Sequence, residues 1–207
     1  ALSGAAVLAL CWSDLRETNT APSRTMAEQY RAYPELLGST RFWAYCLCMA
    51  FSVGTFYAFL AGAPLAASGF DLSPVALGVF MGSVTGGFMA GSFMAGRLAG
   101  KVPATALLIG GRMIACTGLA AGVTLHAAGV GHVLALFGPC ICVGIANGLT
   151  QPGANVGAIS VRAGHTGSAA GLAGAITVAG ASIMAALTGG VLTAGNARGG
   201  LLVVMLA

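Results

Sequence analysis

Acidic side chains are almost missing from this sequence: 207 residues hold five Asp and Glu, and all charged residues together make up 7%. Soluble domains carry about 25% charged residues, so an ordinary water-exposed fold is excluded. The same poverty of charge, with 57% hydrophobic residues and a mean hydropathy of +0.89, excludes intrinsic disorder. Glycine is abundant (33 residues) but follows no G-X-Y period, which removes a collagen-like chain. Short segments of alternating polarity, the mark of membrane β-strands, do not recur. HExxH, GxSxG and Walker signatures are missing, and His126, His132 and His165 fall in or near loops on different sides of the membrane. Neither an enzyme constellation nor a built-in ATP motor is expected. Cys46/Cys48 and Cys140/Cys142 form CxC pairs inside apolar stretches, and Cys11 and Cys116 stand alone. Without CxxC or Cys/His spacing in a polar setting they read as small apolar residues, with no metal, no cofactor and no disulfide framework.

What the chain has instead is a series of long apolar runs rich in Ala, Gly, Leu and Val. A spanning helix needs about 20 such residues. Five full spans are predicted over 41–66, 74–96, 103–126, 132–152 and 168–193. Two stubs flank them. Residues 1–12 are apolar up to Ser13-Asp14 but have no basic segment ahead, so they read as the end of a preceding transmembrane helix rather than a signal peptide. Residues 201–207 read as the start of a sixth span, and the whole as an all-α membrane protein cut from a longer chain.

Counting crossings puts loops 13–40, 97–102 and 162–167 on one side, and loops 67–73, 127–131 and 194–198 on the other. The first side with its flanks carries Arg16, Arg24, Arg31, Arg41, Arg97, Lys101 and Arg162, whereas the second carries only Arg198. Lys and Arg accumulate in cytoplasmic loops, so the first side is predicted to be cytoplasmic. The net charge of +4 therefore speaks to topology rather than to nucleic acid. Residues 13–40, the one polar stretch of any length, read as a cytoplasmic linker. Residues 25–33 within it are either solvated or a short amphipathic surface helix.

A cytoplasmic linker followed by six spans resembles the second half of a major facilitator superfamily transporter, and its details resemble the Bcr/CflA-type drug-resistance branch. Asp14-Leu15-Arg16-Glu17-Thr18 is similar to that branch's linker start. Tyr30-Arg31 and Pro34-Glu35-Leu36-Leu37 precede Phe42-Trp43-Ala44-Tyr45 as its "Y..LL….F..Y" pattern does. Gly91 to Lys101 (GSFMAGRLAGK) resembles the second-half copy of the loop motif G-x-L-x-D-R-x-G-R-K, with no acid before Arg97. Gln151-Pro152-Gly153-Ala154 and Thr166-Gly167-Ser168-Ala169-Ala170-Gly171 resemble the passage between the fourth and fifth spans of that half. The resemblance implies a six-helix half-bundle of 3+3 inverted repeats. It further implies proton-coupled export of hydrophobic drugs from a bacterial inner membrane, with an N-terminal half as partner. An exporter or importer of a polar metabolite (sugar, nucleoside) on the same fold, or a non-transporting membrane subunit, remains open.

Several residues are candidates for transport. The first span has a face of Tyr45, Met49, Ser52, Phe56 and Phe59, and the fourth has Asn147, Thr150 and Gln151 at i, i+3 and i+4. Both faces suit either packing or a substrate path. The resemblance places the first and fourth helices at the central cavity, which singles out Tyr45, Ser52, Phe56, Asn147 and Gln151. Gly91, Arg97 and Lys101 are conformational candidates at the cytoplasmic turn, where the cations either snorkel or latch a helix end. Small-xxx-small spacing recurs at Gly78/Gly82/Gly86, Gly87/Gly91, Gly118/Gly122 and Gly144/Gly148, a signal for close helix packing. Arg112 is the outlier. It lies about 16 Å beyond Lys101 on a helical rise, no span carries an acid to meet it, and it either snorkels or serves function. The topology is tested by labelling single cysteines from outside in a cysteine-free background. Positions 71 and 129 should react and position 20 should not; the reverse pattern overturns the span assignment.

Overall fold

A computed structural model describes residues 33–162, 164–193 and 195–206. The readings for residues 1–32, namely the end of a preceding helix and most of the linker, lie outside the described residues. Six helices follow one another: α1 (Thr40–Ala67), α2 (Pro74–Leu98), α3 (Ala104–Ala127), α4 (Val133–Ile159), α5 (Thr166–Val191) and α6 (Ala197–Leu206). A 3-10 turn, Ser68–Phe70, follows α1, and residues 33–37 form a helical turn ahead of it. Among the described residues there is no strand. Five helices are long and apolar enough to cross a membrane.

The expected boundaries hold within two residues except at the start of α6, which is Ala197 rather than residue 201, and at the end of α4, which runs to Ile159 rather than stopping at Pro152. Proline removes an N–H and normally ends a helix. Within lipid an early end would strand carbonyls that no water can reach, so a proline is carried inside the helix. Pro139 in α4 and Pro64 in α1 are carried the same way. The ends themselves have ordinary local causes. The Ser39 and Ser73 hydroxyls accept the Phe42 and Ala76 N–H groups, and Pro74 opens α2 where its missing N–H costs nothing. Gly100, Gly129 and Gly164 take positive φ in the turns, which side chains disfavour.

The packing follows a two-fold rule. α1 packs on α5 and α6; α4 packs on α2 and α3; α1 meets α4, and α3 meets α6. Exchanging the first three helices with the last three leaves this set unchanged. Three crossings separate α1 from α4, so the two triplets run in opposite senses, which is the 3+3 inverted repeat. α1 and α4 form the centre: 56% and 61% of their most apolar windows are buried, against 11–22% for α2, α3 and α5.

Loops assigned by parity to one side gather at one end. Arg198 donates to the Gly69 carbonyl at 2.6 Å and lies 4.1 Å over the Phe70 ring, tying the first turn of α6 to the turn after α1. A small cavity joins the same residues to His126 and His132. At the opposite end Arg162 approaches Glu35 at 3.9 Å; this pair is exposed and contributes little.

In lipid, helices associate by close packing because tails are as apolar as leucine. The glycines show where this happens. A Cβ on Gly144 would overlap the Val84 carbonyl, and one on Gly91 the Ile145 carbonyl. One on Gly148 would overlap the Phe88 carbonyl and reach the Ser92 nitrogen at 2.7 Å; one on Gly87 would lie 2.9 Å from the Ile141 oxygen. α2 and α4 thus touch backbone to backbone. Gly118 and Gly122 of α3 instead receive the Cys142 and Pro139 side chains of α4. Gly78, Gly82 and Gly86, expected to pack, do not: a Cβ there meets nothing within 4 Å, because they lie on a face of α2 turned away from α4. Gly148→Ala or Gly91→Ala should therefore cost about 1–3 kcal/mol by overpacking. Gly82→Ala should be neutral or slightly stabilising through helix propensity. Thermal unfolding in detergent checks this, and equal effects at Gly148 and Gly82 would contradict the contact.

Candidate functional site

Two apolar clusters fill the half-bundle. One gathers Leu36, Phe42, Cys46, Met49, Ala154, Ala158, Ala169 and Ala173 near the end that holds loops 97–102 and 162–167. The other gathers Phe59, Val84, Leu119, Phe137, Val143, Leu201 and their neighbours toward the opposite end. Phe137 stacks on Phe80 at 5.0 Å and takes the edge of Phe59 at 6.2 Å. Between the clusters lies a thin polar layer made of Ser52, Arg112, Asn147 and Thr150.

Helix register brings these residues together. Ser52 is twelve residues into α1 from Thr40, and Asn147 is twelve from the end of α4 at Ile159, so both sit about 18 Å from that end. Arg112 is eight residues into α3, about 12 Å deep. Thr150 is at about the same level as Arg112, and the long arginine side chain spans the remaining turn to Asn147. Gly111 makes the approach possible. A Cβ there would collide with the Thr150 methyl group and lie 3.0 Å from the Ala146 oxygen.

The hydrogen bonds form a chain across three helices. One Arg112 Nη donates to Asn147 Oδ1 at 3.0 Å and to Thr150 Oγ1 at 3.1 Å. Asn147 Nδ2 donates to the Ser52 carbonyl at 2.8 Å. The Thr150 hydroxyl donates to the Ala146 carbonyl at 2.9 Å. Thr150 is fully buried and Asn147 is 4% exposed. Arg112 therefore turns inward rather than snorkelling to the surface. An arginine at a helix centre costs about 2.5–3.5 kcal/mol to place in the membrane, and neutral partners satisfy its donors without cancelling its charge. Its Nε is buried with no hydrogen-bond partner among the described residues.

The residues singled out from the sequence fall into three groups. Ser52, Asn147 and Arg112 meet in the polar layer, Ser52 through its main-chain carbonyl. Tyr45, Phe56 and Gln151 are half-buried outside it. The Tyr45 ring covers Gly157 of α4, Phe56 lies 6.3 Å from Phe59, and Gln151 makes no hydrogen bond among the described residues. Gly91 is inside the α2–α4 contact. Arg97 is exposed over the Phe93 ring at 4.7 Å, and Lys101 is exposed in the following turn. The pairing of Arg112 with Asn147 and Thr150 crosses 35 and 38 residues of sequence. Its available signal was an intramembrane arginine followed by an amide and a hydroxyl at i, i+3 on the next helix.

Around this layer the architecture is that of a multi-pass membrane protein with two central helices. No curated protein matches the chain. The family model described as Major Facilitator Superfamily matches residues 1–204, nearly the full length. With that match added to the inverted-repeat packing of its helices, the chain belongs to the major facilitator superfamily of secondary transporters.

Proposed function

We propose that this chain is the C-terminal half of a proton-coupled multidrug exporter of a bacterial inner membrane. In this reading residues 1–12 end a preceding helix, 13–40 form the cytoplasmic linker, and 41–207 form the second transmembrane half. An N-terminal half of the same transporter completes the cavity. The observation that carries the reading is the character of α1 and α4. The two most buried helices still present half-buried Tyr45, Phe56 and Gln151, none of which the polar layer uses. Two aromatic rings and one amide suit adaptable recognition of apolar drugs with few polar contacts. Ser52 and Asn147 support this path by holding its two helices at a fixed depth.

Proton exchange needs a group that loads and releases a proton within the membrane, normally a carboxylate. The five acids of the chain are Asp14, Glu17, Glu28, Glu35 and Asp71, all outside the five full spans. The coupling acid is therefore assigned to the other half. Gly91, Arg97 and Lys101 act in the conformational cycle: the α2–α4 contact moves as one body, and the two cations latch the cytoplasmic turn. Gln151, an amide without a hydrogen bond among the described residues, favours transport of a polar metabolite as the second reading.

The test uses the full-length protein in an efflux-deficient strain. Phe56→Ala and Gln151→Ala should change resistance several-fold for some drugs and not others, while drug-free proton leak stays constant. Asp71→Asn should leave drug-induced proton movement intact. Loss of that movement would locate coupling on this chain, and energy-dependent efflux by the 207-residue chain alone would contradict the half-transporter reading.

A further inference from the structure

Arg112 has a second environment beside the polar layer. α1 and α3 run next to each other without packing extensively, since both lean on other helices. The crevice between them holds a cavity of about 420 Å³, lined by Tyr45, Cys48, Leu108, Ile109 and Met113, with Arg112 at its inner end and Arg41 at its mouth. A second cavity of about 170 Å³ adjoins Arg112 from the other side, beside Phe51, Cys116, Met184 and Met205. Arg112 is thus a shared wall between two apolar spaces, and the larger is within the range of small-molecule sites, about 300–1,000 Å³.

The charge in this crevice is not balanced. The groups facing Arg112 are the Asn147 amide and Thr150 hydroxyl of α4, the Cys48 thiol of α1, and the Cys116 thiol on its own helix. Amide and hydroxyl carry no charge, and no carboxylate is among these groups. None of the five full spans holds an Asp or Glu. Among the described residues the buried Nε–H has no acceptor, and the second Nη makes no hydrogen bond, which leaves it as the donor for the crevice. A desolvated guanidinium with a free donor, walled by apolar side chains, matches a planar oxyanion attached to an apolar body.

We infer that the crevice between α1 and α3 binds a lipophilic organic anion, a carboxylate on an apolar body, with its head on Arg112 and its body against Leu108, Ile109 and Met113. Arg41 at the mouth adds attraction for the same sign of charge. This site opens between α1 and α3, shares only the Tyr45 ring with the α1–α4 path, and does not depend on which substrate that path carries. The ligand reaches it either from the bilayer, as a fatty-acid carboxylate, or from water, as a dissolved lipophilic acid.

The experiment measures binding, not transport. The full-length protein is placed in nanodiscs of zwitterionic lipid and titrated with a fluorescent long-chain carboxylate, its methyl ester and its trimethylammonium counterpart. The carboxylate should bind saturably and the other two should not. Arg112→Gln, which keeps an amide to meet Asn147 and Thr150, should weaken binding by more than about tenfold. Ile109→Trp, which fills the crevice and leaves Arg112 and its partners in place, should also abolish it, with an unchanged melting temperature showing that the fold persists. Displacement by a non-fluorescent fatty acid or by a water-soluble aromatic carboxylate supports the site and shows from which phase it fills. Equal binding of the ester, or carboxylate affinity unchanged in both Arg112→Gln and Ile109→Trp, would overturn the inference.

Discussion

A bilayer offers no water, so each polar group placed in it must find a partner in the protein. Arg112 makes this constraint acute. Its guanidinium reaches Asn147 and Thr150 on α4, and Asn147 passes the connection to the Ser52 carbonyl on α1. Three helices are thereby fixed in depth and rotation about one layer. The layer also sorts the apolar packing, with one cluster on each side of it. Shifting α3 by a turn toward the cluster around Phe137 and Val143 would move its charge away from Asn147 and Thr150 and toward those apolar side chains.

The inverted repeat explains which helices are central, but its two copies are not built alike. α4 meets α2 through glycines whose neighbours are backbone carbonyls. α1 meets α5 through Gly54 and Gly180, whose nearest atoms are the Met184 side chain at 2.8 Å and the Ala50 Cβ at 2.9 Å. Backbone-to-backbone contact is rigid because nothing in it can change rotamer. A methionine between helices adapts. The α2–α4 contact is therefore the stiffer of the two, and the α1–α5 contact the more adjustable.

Much of this was legible in the residues. Span boundaries were readable because apolar length is dictated by bilayer thickness, and the grouping of the loops at two ends because each span reverses the chain. The end of α4 was misjudged because Pro152 is a breaker in water and tolerated in lipid. Glycine spacing located Gly144/Gly148 and Gly87/Gly91 correctly but could not tell them from Gly78/Gly82/Gly86, since spacing names a face and not its neighbour. The partners of Arg112 were hidden for a related reason. Each residue of the layer was visible alone, and the register between α3 and α4 that joins them is set by the turn over 128–132 and the close approach at Gly111, not by any local period.

The central claim is that Arg112 and Asn147 act as one unit that locks α3 and α1 to α4. A double-mutant cycle in thermal unfolding of the purified protein measures it, using Arg112→Leu, Asn147→Leu and the pair together. Asn147→Leu leaves a buried guanidinium with fewer acceptors and should destabilise more than the double variant, with a coupling of about 1–2 kcal/mol. Additive effects of the two substitutions would show that the polar layer does not hold the half-bundle together.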